Sequence, residues 1–148
     1  MKKLVSFFAI VMLMMVAAAP AKADDCSSAV NKICKAFDYM TAQVNRVTSF
    51  EGLENLDFDA AVNKAEVYSI PDECANYVLT SADKTKLRKS FNSFCNAMVD
   101  KMYSFIGGMM SRNDIAVQIS PMKDAFNQVL NNSKTLGDLV EGMAYVFN

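Results

Sequence analysis

The sequence predicts an all-α (mostly) fold, a small four- or five-helix bundle, and three observations carry that prediction. Two long stretches repeat apolar residues at helical spacing, helix-start motifs stand ahead of apolar runs, and strand-like alternation is confined to one short segment.

The first long stretch runs from Cys26 to Val47. Its apolar positions, Cys26, Val30, Ile33, Phe37, Met40, Val44 and Val47, follow one another at alternating gaps of 4 and 3, which draws one stripe along a helix. Asp24 or Asp25 can cap its start. The pattern breaks at Glu51-Gly52, and Asp57 is a good N-cap for a shorter helix with Phe58, Val62 and Ala65 on one side. Residues 67–70 read as extended, because Ile70 precedes a proline. Pro71 can open a short helical turn containing Cys74.

Thr80-Ser81-Ala82-Asp83 sets a capping hydroxyl and a first-turn acid before the second long stripe. That stripe is Leu87, Phe91, Phe94, Met98, Met102 and Phe105, and Gly107-Gly108 ends it. Ile115, Val117 and Ile119 alternate as in a strand. A lone strand leaves its backbone groups unbonded, so residues 115–119 are expected to pair with 67–70 as a two-stranded segment or to form an ordered crossover. Ser120-Pro121 reads as the next helix start, followed by Met122, Ala125, Phe126, Val129 and Leu130. Thr135 and Asp138 open a last helix carrying Leu136, Leu139, Val140, Met143 and Phe147. Such stripes are buried by packing against one another, hence the bundle.

The amino terminus has a different character. Lys2 and Lys3 precede an apolar run from Leu4 to Ala19, and Ala21-Lys22-Ala23 supplies the small residues that a signal peptidase accepts. Residues 1–23 are therefore expected to be a cleaved signal peptide of bacterial style, and residues 24–148 a single secreted or periplasmic domain. The run is shorter than the ~20 residues a spanning helix needs. Cleavage would remove three of the 15 basic residues and none of the 16 acidic ones, leaving a net charge of −4. That balance argues against nucleic acid as a partner. No later hydrophobic run has membrane-spanning length, so no membrane association is expected once the signal is removed.

Four cysteines, Cys26, Cys34, Cys74 and Cys95, fall in the expected mature part and read as two disulfides in an oxidising compartment. Cys26 and Cys34 lie eight residues apart on one helix. Their Cα atoms would be about 12 Å apart at the helical rise, against the ~7 Å a bridge allows. Cys34 and Cys95 sit mid-stripe on the two long helices, which favours Cys34–Cys95 with Cys26–Cys74, ahead of Cys26–Cys95 with Cys34–Cys74.

The chain has no histidine, which removes the commonest acid–base group, the commonest metal ligand and every histidine-dependent triad. Lys89 and Ser90 are adjacent, but neighbours on a helix point apart. Glu51, Glu54, Asp57 and Asp59 lack the order of a calcium loop. Met98, Met102, Met109 and Met110 suit core filling better than a copper site. The basic run Lys84, Lys86, Arg88 and Lys89 reads as a solvated face. No catalytic, metal or cofactor site is assigned. The expected role is binding to a protein partner, as an inhibitor, chaperone or immunity-like protein. The alternatives are a carboxylate-dependent hydrolase and a structural or assembly subunit.

Overall fold

Two helices form the spine of the computed structural model, which describes residues 23–147: α1 (Ala23–Arg46) and α4 (Ser81–Ile106). Between them lie α2 (Phe50–Glu54), α3 (Phe58–Lys64) and two 3-10 turns, Val67–Ser69 and Asp72–Asn76. After them come α5 (Arg112–Asn132) and α6 (Leu136–Phe147). The expected signal, residues 1–23, lies outside the described residues except for Ala23, the first residue of α1.

The first stripe is buried through Val44 and the second through Phe94, beyond which Met98, Met102 and Phe105 are half-buried. Val30, Ile33, Phe37, Met40 and Val44 of α1 and Leu87, Phe91 and Phe94 of α4 belong to one core. The start of α4 is a reciprocal capping box: the Asp83 N–H donates to Thr80 Oγ1 (3.0 Å) and the Thr80 N–H to Asp83 Oδ2 (2.9 Å). Gly107 caps its end.

Contacts between α1 and α4 reveal their relative direction. Lys101 Nζ donates to the carbonyls of Asn45 and Val47, at separations of 56 and 54 residues. Phe91 meets Phe37 (ring centroids 5.3 Å apart), and Ser90 hydrogen-bonds Cys34. The separation stays constant along the seam, so α1 and α4 run parallel. Everything from α2 to the second 3-10 turn is the crossover that parallel helices require. Against α5 the separation falls from 43 residues (Arg88 to Asn131) to 12 (the Arg112–Asp100 ion pair), the mark of an antiparallel hairpin. Phe37, Phe91 and Phe126 join the three helices. Phe126 stacks on Phe91 at 4.0 Å and stands edge-on to Phe37 at 5.9 Å.

Neither expected extended segment exists. Residues 115–119 lie inside α5, where Ile115 and Ile119 share the buried face one turn apart and Val117, between them, is 69% exposed. Alternate residues matching i and i+4 satisfy a helix as well as a strand. The helix begins at a capping box of Ser111 and Asp114, not at Ser120-Pro121, and Pro121 stands in its interior. Val67–Ser69 form a 3-10 turn, entered through Glu66 in the left-handed conformation (φ 57°, ψ 31°), and only Ile70, ahead of Pro71, is extended. The one β-type pairing among the described residues is an isolated antiparallel bridge between Val78 and Thr135.

The helix α6 is an appended element. It packs on α5 on one side and on the Asp72–Asn76 turn on the other. The Leu136 N–H donates to the Tyr77 carbonyl and the Leu79 N–H to the Lys134 carbonyl, both at 2.9 Å. Gly137 lies so close to Ala75 that a Cβ there would sit 2.9 Å from its carbonyl oxygen.

Candidate functional site

The structure joins Cys26 to Cys74 and leaves Cys34 and Cys95 as buried free thiols, which corrects the Cys34–Cys95 pairing. The reason is rotational. Cys34 meets α4 at Ser90, whereas Cys95 is five residues further on, about 140° around the helix axis. Cys95 faces α5, where Lys123 is near. Burial pushes the Cys95 thiol up to about 12 and raises Cys34 above its ordinary value, against a partial pull downward from Ser90. Both are therefore protonated at neutral pH, and neither is an activated nucleophile.

A crevice of about 260 Å³ opens on the α1–α4 seam, lined by Cys34, Asp38, Lys86, Lys89, Ser90 and Ser93. Lys89 and Ser90, expected to point apart, both border it, because a groove between two helices admits residues from either flank. The Ser90 side chain is already engaged with Cys34. Arg88 of the basic run donates to Asn131 at 2.7 Å.

The acidic stretch is dispersed. Glu51 and Glu54 belong to α2, while Asp57 caps α3 by accepting from the Ala60 N–H at 2.9 Å. Among the described residues no three cysteine, aspartate or glutamate side chains are grouped to hold a metal ion. Met98, Met102 and Met110 pack against the core, and Met109 is 83% exposed.

The larger concavity, about 920 Å³, is an open groove between α5 and α6. Val129, Gly142, Tyr145 and Val146 line it together with Lys134, Asp138 and Glu141, among others. Gly142 lets the two helices approach: a Cβ there would lie 2.6 Å from Val129 Cγ1. Tyr145 is 91% exposed, and it falls off the Leu136, Leu139, Val140, Met143 stripe that faces the core. That displacement is the signal in the sequence that could have marked this face.

Asp138 is held in its charged form. Backbone N–H groups of Thr135 and Lys134 each donate to Oδ2 at 3.0 Å and keep the carboxyl below the usual carboxylate range. At Asp83 burial pushes upward, but the Thr80 N–H, the Tyr77 hydroxyl and the Thr80 side chain together outweigh it, and the net shift is downward. An acid catalyst needs the opposite, a carboxyl kept protonated near neutral pH.

No protein-family model, no curated protein and no solved structure matches the chain. No helix among the described residues is long and apolar enough to cross a membrane.

Proposed function

We propose that this chain is an exported binding module that holds a segment of a partner protein in the groove between α5 and α6. The observation that carries this reading is the groove itself, an open concavity with exposed Tyr145 and apolar Val129 and Val146 beside Asp138 and Glu141. Recognition sites combine an apolar anchor surface with a few charged groups in this way. Two carboxylates against the single Lys134 favour a segment that presents an apolar side chain next to a basic one. A net charge of −4 after signal removal acts in the same direction at longer range. Export is supported by the amino-terminal pattern and by the Cys26–Cys74 disulfide, a bond that persists in oxidising compartments.

The test is amide chemical-shift mapping of residues 24–148 with two synthetic peptides, one alternating leucine with lysine and one alternating leucine with glutamate. The lysine peptide should shift resonances along Gln128–Lys134 and Asp138–Val146, and Tyr145→Ser with Glu141→Lys should weaken it at least about tenfold. Equal shifts from both peptides, or shifts scattered over α1 and α4, overturn the reading. A concentration-dependent dimer abolished by Tyr145→Ser would place the assembly alternative ahead of it.

A further inference from the structure

We propose that closure of the Cys26–Cys74 bridge docks α6 and completes the α5–α6 groove, so that the groove becomes competent only after oxidation. The last clause rests on the binding reading above; the docking does not.

The helix α6 is held mainly by two neighbouring segments. Its two supports are α5 and the strap of residues 71–80, which contains the Asp72–Asn76 turn and otherwise no helix or strand. The strap grips the bend between α5 and α6 through two main-chain hydrogen bonds, Leu79 to Lys134 and Leu136 to Tyr77. It also presents Ala75 to Gly137 at a distance that leaves no room for a side chain. Lys134, Asp138 and Glu141 of the groove lie on the segment so fastened or just beyond it.

Besides the burial of Cys74 and Leu79 and the Thr80 cap of α4, two side-chain links tie the middle of the strap to the rest of the molecule. One is the disulfide from Cys74 to the first turns of α1. The other is the hydrogen bond from the Tyr77 hydroxyl to Asp83 at the start of α4, 2.9 Å long. By contrast, α1, α4 and α5 are joined through the ring contacts of Phe37, Phe91 and Phe126, while the strap adds to the same core only the smaller Cys74 and Leu79 and the half-buried Tyr77. Loss of the bridge therefore falls on the strap and on α6 and leaves the three-helix core in place.

Closure is a thiol–disulfide exchange. The Sγ–Sγ bond forms as the Cys26 and Cys74 thiols give two electrons and two protons to a disulfide oxidant, whose own S–S bond breaks to yield two thiols. In the folded chain Cys34 and Cys95 do not compete, since they lie on different seams. Once formed, the bridge is shielded: Cys26 is 7% exposed and Cys74 fully buried, out of reach of an attacking thiolate. It acts as a latch set once.

Hydrogen exchange on three samples tests the docking: the oxidised protein, the Cys26→Ser/Cys74→Ser variant, and protein refolded with its thiols kept reduced. In the last two, amides of residues 71–80 and 134–146 should exchange at least about tenfold faster, with α1, α4 and the middle of α5 unchanged. Adding oxidised glutathione to the reduced protein should restore the slow exchange. Unchanged protection at 134–146 overturns the proposal. So does loss spread equally over α1, α4 and α5, including outright failure to fold, because α6 would then be inseparable from the core. Titrating the leucine–lysine peptide into each sample separates the two readings. Binding to the oxidised form alone supports the latch as a control of the groove, and equal binding to all three overturns that control. Binding to none, with the exchange difference present, overturns the groove and leaves the docking standing.

Discussion

Asp83 shows how much one carboxylate does at the start of a helix. It closes the capping box with Thr80, accepts the Tyr77 hydroxyl and remains buried. Its folded-state pKa lies below the unfolded value, so its stabilisation is present above the ordinary carboxylate range and is lost as pH falls through the folded value. Asp83→Asn should cost about 1–2 kcal/mol at pH 7 in denaturant titrations. Below about pH 4 the difference from the parent should shrink. The Thr80–Asp83 and Thr135–Asp138 boxes were legible in the sequence. The third, Ser111 with Asp114, has the same spacing but was masked by the alternation that follows it. The free thiols give a second residue-scale expectation. With Cys95 raised to about 12, a maleimide should label neither Cys34 nor Cys95 in native protein at pH 7, and both after unfolding.

Within elements, the departures from expectation have local causes. Pro121 stands inside α5 without an N–H for the carbonyl one turn back, at Val117. Both residues are on the exposed side, where water can take that carbonyl, and this tolerates a residue that normally breaks a helix. Pro121→Ala should raise stability by about 1–3 kcal/mol, the helix-propensity gain reduced by the freer unfolded chain, as read by thermal or urea melting. The stripes of α1, α4 and α6 could be read because burial repeats at the helical period. That period says which face is buried and not which neighbour buries it. Cys34 and Cys95 both read as mid-stripe, yet they address different helices. For the same reason the groove stayed hidden: it is made by α5 and α6 together, through Gly142 against Val129.

At the scale of the whole molecule, the three phenylalanines carry the junction of α1, α4 and α5. Phe91→Ala should cost about 3–5 kcal/mol, measured by denaturant unfolding, since the site is fully buried between Phe37 and Phe126 and cannot collapse without moving both. The parallel course of α1 and α4 has a consequence in time. The α4–α5 hairpin closes through contacts as few as 12 residues apart, whereas α1 meets α4 only across 54 to 56. Loop-closure entropy has to be overcome before such distant pairs reward it, so a chain wired this way folds more slowly than an up-and-down bundle of equal length. The hairpin of α4 and α5 is the natural nucleus, and α1, made before either of them, is the last of the three to find its place.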